Sequence, residues 1–565
     1  MYLPLYIMAA LILAYLAYLV FSKKGAGILW AILLAASSVI LLYIINPNLR
    51  VYSMHGFLHT AITNQILNGL IPPPNPFLAG EPLLYHWGYH CLAAAIARIL
   101  NISPPYAFAV INTTSLCAVL FLAYKISGLL IADKKANVFS ALFVVFGAFA
   151  GNIFFPEGIG KRIACLLSNL IDFRLGTPLF EKFVKMNGVP LGLVFYLLYV
   201  YTLIRILQGK GTKLNAAILF ISVLGCGFFY PIFIFVIVLG TLLVCAAYIV
   251  IKRGVDLKKP FLILCIISGA LVPLLPYLFS ISAGLPRINS LFALEHIHSN
   301  AIGVFFVTFP LLAIMYISED FIKKINKMPL FTLCAFTLAA SFLFIFVHLL
   351  CGNEYKFILL IKATLGITAG IALRLMLHRY NKFLVFVLLL LFISPWYSCM
   401  HWNAGLMKRH PVIYEECGRQ ILYRDAEERE LYEWVNVNTP ADSIFFDTTL
   451  KIPVFAKRQL FSPRDLRCGS SDPGYFIGIE CFLEMVCGYD RELVKSRMDI
   501  TRDIYSPERS FIKHDTEDFL RDPGEDVYIV ARTRAQQDKF KGQGLKQVFT
   551  TSGGRFSIYR PGGLD

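Results

Sequence analysis

Four histidines stand close together in residues 46–104, the segment that follows the second apolar run of the chain. They form two pairs at i,i+4 spacing, His55 with His59 and His86 with His90. Side chains four residues apart share one helix face, so each pair could offer two ring nitrogens to one metal ion. Glu81 is the one carboxylate of the segment and could complete a nitrogen and oxygen site. Such a site would suit a divalent ion such as Mn, Mg or Zn. The alternative left open is that the histidines bind backbone or substrate hydroxyl groups without a metal.

The same segment carries aromatic side chains, among them Tyr85 and Trp87, between its polar groups. Aromatic residues are typical of membrane–water interfaces, and together with histidine they suit the binding of a sugar. The proline run at residues 72–76 cannot form a helix and predicts an extended or turn segment between two interfacial helices. Because long loops in compact proteins are more often functional than connective, we take residues 46–104 as the candidate active site.

Repeated apolar runs of bilayer-spanning length make the chain a polytopic helical membrane protein. Of its 565 residues, 57% are hydrophobic and 16% are charged. We predict an all-α membrane domain over residues 1–400 with about twelve transmembrane helices. The predicted spans are 3–22, 27–45, 105–131, 136–155, 188–208, 214–229, 230–251, 260–281, 301–318, 330–351, 355–377 and 382–398.

The distribution of charge predicts the orientation of these spans. Residues 1–400 hold 28 basic and 10 acidic residues, whereas residues 401–565 hold 24 and 26. Lysine and arginine in short connectors mark the cytoplasmic side, so the excess is topological and does not indicate nucleic-acid binding. All basic connectors fall on that side if residues 84–100 lie in the interface. The loops 46–104 and 156–187 and the C-terminal tail then lie on the extracytoplasmic side of a multi-pass plasma-membrane protein. Its spans contact the membrane lipids.

Residues 401–565 differ in composition from the rest of the chain. Short strand-like runs at 444–446, 527–530 and 556–559 alternate with helical patterns at 425–436 and 514–521. Such alternation over this length predicts one small, extracytoplasmic α/β domain at the C-terminus.

Several motifs together resemble the GT-C superfamily of membrane glycosyltransferases. They are HGFLHTAITNQILNG at 55–69, IPPPNP at 71–76, LAGEPLLYHWGYH at 78–90, ISPPYAF at 102–108, FEKFVKMNGVPLG at 180–192, FYP at 229–231, NEYKF at 353–357 and LYEWVNVNTPADSIFF at 431–446. The resemblance implies a GT-C-like fold and a polyprenyl- or dolichyl-phosphate-linked sugar as the donor. It further implies inverting transfer to a glycan, lipid or protein acceptor on the extracytoplasmic face.

One departure from that superfamily concerns the acidic residue that usually follows the first membrane exit. Here the stretch reads RVYSMH at residues 50–55 and contains no acid. The candidates for the catalytic role are Glu81, His55, His59 and Asp172, with Glu157 and Glu181 as further acids of the second loop. A carboxylate or a neutral imidazole can accept the proton of an attacking hydroxyl. The candidates for substrate binding are Arg50, Tyr85, His86, Trp87, His90, Glu181, Arg287, Glu354 and Lys356.

Among the basic residues, Lys356 is our first choice for the lipid phosphate and Arg287 the second, because a leaving phosphate needs cationic stabilisation. The main alternative is a non-catalytic GT-C-fold subunit, or a scaffold that binds lipid-linked glycans. A transporter or flippase is disfavoured, because few acidic residues lie within spans and no internal repeat is visible.

Overall fold

The computed structural model describes most of the chain, and its described residues fall into two compact units. The described ranges are 27–45, 54–147, 179–251, 257–281, 288–291, 318–349, 355–379, 426–449, 451–462, 489–506 and 526–561, with single positions between 11 and 18, between 297 and 316, and at 382 and 483. The first unit, here the helical unit, comprises Met1–Pro47, Ala109–Phe279 and Pro286–Leu406. The second, here the mixed unit, comprises Asn48–Phe108, Ser280–Leu285 and Met407–Asp565.

Helices make up most of the described chain before residue 400. They are α1 (Ile28–Ile45), α2 (Met54–Leu67), α3 (Gly88–Leu100), α4 (Pro104–Leu130), α5 (Lys134–Phe146), α6 (Phe180–Val184), α7 (Val189–Arg205), α8 (Lys213–Phe229), α9 (Phe233–Ile251), α10 (Lys258–Leu271), α11 (Leu275–Ser280), α12 (Glu319–Lys324), α13 (Lys327–Phe346) and α14 (Tyr355–Arg379). A π-helical turn, Ile206–Lys210, extends α7, and a 3₁₀ turn, Val272–Leu274, joins α10 to α11. Two short strands, β1 (Ile288–Leu291) and β2 (Val347–Leu349), pair antiparallel.

Six helical stretches in the described part of the chain are long and apolar enough to cross a membrane. They are Pro104–Leu130, Val189–Lys210, Phe233–Ile251, Lys258–Ser280, Lys327–Phe346 and Tyr355–Leu377. Each matches one of the predicted spans, and α1 and α8 match two more as shorter apolar helices. The predicted spans at 3–22, 301–318 and 382–398 lie largely outside the described residues.

The most buried of these helices, α14, packs closely against α5 through two glycines. A Cβ placed on Gly370 would come within 2.4 Å of the Ser140 Cα, and one on Gly366 within 3.1 Å of the Val144 Cα. The two backbones therefore lie in contact, as is common where small residues line a membrane helix interface. Ser140 Oγ also donates a hydrogen bond of 2.8 Å to the Ile367 carbonyl across this interface.

The C-terminal part of the mixed unit is an α/β sheet domain, in agreement with the predicted class. Its strands are β3 (Ile444–Phe446), β4 (Gln459–Leu460), β5 (Val527–Ala531), β6 (Lys546–Thr550) and β7 (Ser557–Arg560), in the order β4-β3-β5-β7-β6. Strands β4, β3 and β5 run parallel, and β7 and β6 continue antiparallel. The helices are α15 (Ala426–Asn438), α16 (Arg491–Tyr505) and α17 (Arg534–Gly542). The helix predicted at 514–521 lies outside the described residues.

A buried cluster of charges lies where β3 and β5 end. Arg532 donates from Nε and Nη2 to the two carboxylate oxygens of Asp447, at 2.6 and 2.7 Å. Lys451 donates to Glu428 Oε1 at 2.7 Å, and Arg532 also contacts that oxygen at 3.3 Å. Two acids and two bases thus neutralise one another and join α15 to the sheet. Such pairing is needed because a buried charge without a partner is strongly destabilising.

The first loop is part of the mixed unit and covers the edge of its sheet. The Leu460 amide donates to the Pro76 carbonyl at 3.0 Å, and the Ala79 amide donates to the Leu460 carbonyl at 2.9 Å. Prediction from sequence grouped residues 46–104 with the membrane domain, whereas the contacts group them with residues 407–565. An uncovered edge strand exposes unpaired amides and carbonyls, and the loop supplies partners for those of β4.

Side chains of the first loop complete the hydrophobic core of the mixed unit. Leu58, Ile62, Phe77 and Leu83 belong to one buried cluster that includes residues of α15 and of strands β3, β5 and β7. Helix α3 has 13 residues, about 20 Å of helix, which is too short to cross a bilayer. Residues 84–100 are therefore a loop and a short packed helix, and their placement at the membrane interface stays a prediction.

Buried amides fasten α2 to the C-terminal domain and provide a test of this packing. Asn64 Nδ2 donates to the carbonyls of Pro453 and Val454, at 3.0 and 2.8 Å. We expect Asn64→Ala to lower the free energy of unfolding of the mixed unit by about 1–3 kcal/mol, because two buried carbonyls lose their donor. The exposed Asn438, which donates to the Trp434 carbonyl of its own helix, is the control. Thermal unfolding should show little change for Asn438→Ala, and equal effects of both variants would contradict the packing described.

Candidate functional site

Two of the four loop histidines meet in the structure, one from α2 and one from α3. His59 of α2 and His90 of α3 are buried, and His59 Nδ1 lies 2.7 Å from His90 Nε2. Their rings stack with centroids 4.9 Å apart and planes inclined by 29°. One ring donates the hydrogen bond and the other accepts it. The contact pairs α2 with α3 across 31 residues of sequence, instead of pairing neighbours on one helix.

Aromatic rings surround this histidine pair. The Tyr85 ring centroid lies 6.2 Å from each imidazole, and the Phe108 centroid lies 5.9 Å from His59 and 6.1 Å from His90. Tyr89 is buried and contacts His59, His90 and Phe108 edge-on or tilted. We call these five side chains the histidine cluster. An apolar wall of this kind favours neutral imidazoles, which can accept or pass a proton.

The pKa of His90 follows from its surroundings. Burial lowers that pKa from 6.5 to about 3, and a hydrogen bond with the Trp87 backbone opposes part of the shift. His90 is therefore neutral at physiological pH. A buried neutral imidazole that is hydrogen-bonded to a second imidazole suits a structural or proton-transfer role better than a cationic contact to phosphate.

The metal hypothesis finds no donor set among the described residues. Nitrogens that bind one zinc ion tetrahedrally lie about 3.3 Å apart, given zinc–nitrogen bonds of 2.0–2.1 Å. His59 Nδ1 and His90 Nε2 are closer and bond to each other. Helix α3 begins at Gly88, so His86 precedes it and shares no helix face with His90. In the described part of the chain, no three histidine, cysteine or acidic side chains are grouped so as to hold a metal.

Glu81 contacts the C-terminal domain. Arg497 of α16 donates to Glu81 Oε1 at 3.2 Å and to the Ala79 carbonyl, and its guanidinium lies 5.2 Å from the Phe461 ring centroid. The Tyr489 hydroxyl, which accepts from Asn75 Nδ2 at 3.1 Å, donates to the Pro82 carbonyl. Glu81, the predicted catalytic acid or metal ligand, therefore takes part in the contact that holds the loop on the sheet domain.

A second cluster lies in the helical unit, where α14 begins. Lys356 Nζ lies 5.5 Å from the Tyr230 ring centroid, and Lys182 Nζ lies 5.0 Å from the Tyr355 ring centroid. We call these four residues the lysine–tyrosine cluster. Three separate motifs meet in it, FEKFVKMNGVPLG, FYP and NEYKF. Two ammonium groups beside the N-terminus of a long helix make a region of positive potential.

Glu181, the other described acid among the predicted site residues, is also paired with a cation. It is buried, and one of its carboxylate oxygens contacts Lys185 Nζ four residues later. Lys182, which lies within the short helix α6, instead places its Nζ over the Tyr355 ring. The acid therefore pairs with Lys185, directly after α6, whereas Lys182 within α6 contacts Tyr355 of the lysine–tyrosine cluster.

The remaining predicted residues divide into two groups. His86 stacks on Tyr85 with ring centroids 4.0 Å apart, and the half-buried Trp87 packs on the core of the mixed unit. Of His55 the structure describes only its place in α2. The predicted residues outside the described part of the chain are Arg50, Glu157, Asp172, Arg287 and Glu354.

Prediction from sequence missed the contributions of Lys182, Tyr230, Arg497 and Tyr489. Lys182 and Tyr230 stood inside motifs quoted for the resemblance, so the motifs pointed to them. Arg497 and Tyr489 lie more than 400 residues after their partners in the first loop, and no local pattern signals such pairing.

Comparisons with known proteins agree with the membrane character of the chain. Residues 5–159 match the family described as uncharacterized membrane protein (DUF2298). No curated protein matches the chain at a significant level. The family match and the apolar helices make the chain an integral membrane protein.

Solved structures of two kinds are similar to the chain. ArnT from Cupriavidus metallidurans bound to undecaprenyl phosphate shares 11% identity at a TM-score of 0.49, over 94% of this chain and 98% of that one. The Archaeoglobus fulgidus oligosaccharyltransferase complex with Zn and sulfate shares 12% identity at 0.43, over 94% and 73%. The oligosaccharyltransferase AglB of that organism, with an inhibitory peptide and a dolichol-phosphate, shares 13% at 0.37, over 94% and 74%.

The lowered pKa of His90 predicts an acid-sensitive fold. Its folded pKa, about 3, lies below its ordinary value of 6.5, so the unfolded chain binds the proton first as pH falls. The stability of the mixed unit should therefore drop below pH 6.5, by on the order of 3 kcal/mol at pH 4.5. Unfolding measured from pH 7 to 4.5 should show a shallower slope for His90→Gln. The unsubstituted chain, with the buried imidazole in place, is the reference, and equal slopes in the two proteins would contradict this account of His90.

Proposed function

We propose that the protein is a membrane glycosyltransferase that moves a sugar from a polyprenyl-phosphate carrier to an acceptor on the extracytoplasmic face. In this proposal the chain has about twelve spans, and the sheet domain and the first loop lie outside. The acceptor is a glycan, a lipid or a protein. The resemblance of the motifs supports the class of enzyme, and the residues of the two clusters support the assignment of roles.

The observation that carries the proposal is the lysine–tyrosine cluster. Lys182 and Lys356 come from two motifs of the resemblance, and Tyr230 from a third. Cations beside a helix N-terminus suit the phosphate of a lipid carrier, because the helix end and the ammonium groups both favour negative charge. Aromatic faces next to them suit the apolar face of a sugar ring. Lys356 thus keeps the phosphate-binding role that the sequence suggested.

The proposed transfer follows from the bonds that must change. The acceptor oxygen attacks the anomeric carbon and forms the new glycosidic bond. The bond between that carbon and the phosphate oxygen breaks, and its electron pair leaves with the phosphate. Lys182 and Lys356 stabilise the charge that develops there. The acceptor proton passes to a base, for which Glu81, Asp172, His55 and His59 remain the candidates.

The pairing of Glu81 and Glu181 with cations supports a second candidate function. Glu81 is paired with Arg497 and Glu181 with Lys185, so both acids already neutralise a cation. A catalytic base must reach the acceptor hydroxyl, and one oxygen of each of these carboxylates is already bonded to a cation. A non-catalytic subunit or scaffold that binds lipid-linked glycan through the lysine–tyrosine cluster would need no such base.

Substitution of Lys356 tests the phosphate-binding role. With a panel of polyprenyl-phosphate sugars as donors, we expect Lys356→Gln to lower kcat/KM about 10- to 100-fold, because one cationic contact to the leaving group is lost. Lys125 is a matched control, since its Nζ also lies over a ring, 5.2 Å from the Phe121 centroid. Lys125→Gln should retain normal turnover. Equal losses of kcat/KM in both variants would contradict the phosphate-binding role of Lys356.

A chelator and variants of the outer-loop acids separate the remaining hypotheses. If a divalent ion takes part, EDTA should abolish transfer and added Mn²⁺ should restore it, whereas turnover unchanged by EDTA would exclude the ion. An enzyme should lose activity by about 100-fold or more when its base is replaced. Glu81→Gln and Asp172→Asn are the variants to compare. Glycan products that are unchanged in both would favour the scaffold.

A further inference from the structure

One end of the helical unit gathers basic side chains from three helix junctions. The Asn326 amide, between α12 and α13, donates to the Leu130 carbonyl at the end of α4, at 2.9 Å. Asp133, at the start of α5, lies 3.6 Å from Arg374 near the end of α14. The exposed lysines brought to this end are Lys134, Lys323, Lys324, Lys327 and Lys382. We call it the basic end, and the charge pattern places it on the cytoplasmic side.

Arg374 occupies an unusual position at the basic end. Its side chain is 15% exposed, and its Nε donates no hydrogen bond to any residue that the structure describes. The contact with Asp133 Oδ2, at 3.6 Å, is too long for a hydrogen bond. Asp133 Oδ1 accepts from the amides of Lys135 and Ala136 and so caps α5. A mostly buried guanidinium with an unused donor calls for an acceptor that the described residues do not supply.

The electrostatics of Lys135 indicate the charge of that acceptor. Burial and the charges of Arg374 and Lys382 lower the pKa of Lys135, while Asp133 acts in the opposite direction. The charges of Arg374 and Lys382 therefore both repel that of Lys135, and the Asp133 carboxylate faces Lys135 and Arg374. An anion placed among them would relieve this repulsion. A phosphate fits best, because a guanidinium edge binds two of its oxygens at once.

We propose that Lys135, Arg374 and Lys382 form a binding site for the phosphate headgroup of an anionic membrane lipid. The source is a lipid because Arg374 stands near the end of a helix long and apolar enough to cross a membrane, and Lys135 lies at the start of α5 beside it, where the headgroup layer of a bilayer would lie. Basic recesses between membrane helices on the cytoplasmic side suit such headgroups. This site is distinct from the lysine–tyrosine cluster and does not depend on the proposed transfer reaction.

The test uses the full chain in nanodiscs or detergent with phosphatidylglycerol, phosphatidylcholine and inorganic phosphate as separate probes. Native mass spectrometry should show one retained phosphatidylglycerol and no retained phosphatidylcholine. The double variant Lys135→Gln with Lys382→Gln should bind phosphatidylglycerol about 20-fold more weakly, since each basic residue near the surface adds to anionic-lipid affinity. Arg374→Lys keeps the positive charge but loses the planar guanidinium that can bind two phosphate oxygens at once. It should therefore also weaken binding.

The control is a matched pair of lysines on the same predicted side. Lys210 and Lys213 are exposed at the junction of α7 and α8. Lys210→Gln with Lys213→Gln removes the same charge and should leave phosphatidylglycerol binding unchanged. An equal loss in the control, no loss in the double variant, or equally tight binding of inorganic phosphate would each overturn the proposal. Unchanged thermal unfolding of Arg374→Lys shows that lost binding is not lost folding.

Discussion

The backbone pairing of Leu460 with Pro76 and Ala79 is the contact on which the arrangement of the first loop depends. A proline run supplies carbonyls without amides, and strand β4 at the sheet edge supplies an amide for one of them. Once the loop lies along β4, the helices on either side of it, α2 and α3, are held at a fixed separation. That separation brings His59 and His90 within hydrogen-bonding distance. The histidine cluster is thus a consequence of a sheet edge more than 350 residues away in sequence.

Charge in the mixed unit is used mainly to hold elements together. Asp447, Glu428, Arg532 and Lys451 neutralise one another where the parallel strands end. Glu81 and Arg497 do the same between the first loop and α16. Paired buried charges specify geometry more than they add stability, because desolvation offsets most of their attraction. This is why an acid in a loop predicted to be catalytic serves first to position that loop.

The helical unit distributes its charges differently. Its long helix α14 carries Lys356 at one end and Arg374 near the other, with Gly366 and Gly370 packed on α5 between them. Close backbone packing fixes the helix, so both basic side chains have defined positions. The motifs FEKFVKMNGVPLG, FYP and NEYKF, spread over more than 170 residues, converge where this helix starts. A phosphate-binding role at that point is consistent with this convergence of cations and aromatic rings.

The sequence by itself determined the helices and the class of the C-terminal domain. Apolar runs such as 355–377 and the strand at 444–446 are local signals, because length and periodicity report whether a segment can be buried. It also pointed to residues 46–104 and to Lys356 as candidates for the site, and both assignments stay predictions. Only the tertiary structure decided which histidines meet, since i,i+4 spacing matters only within a helix and α3 begins after His86. It likewise assigned Glu81 to Arg497, because pairing over more than 400 residues depends on how strands and helices pack, which no local pattern encodes.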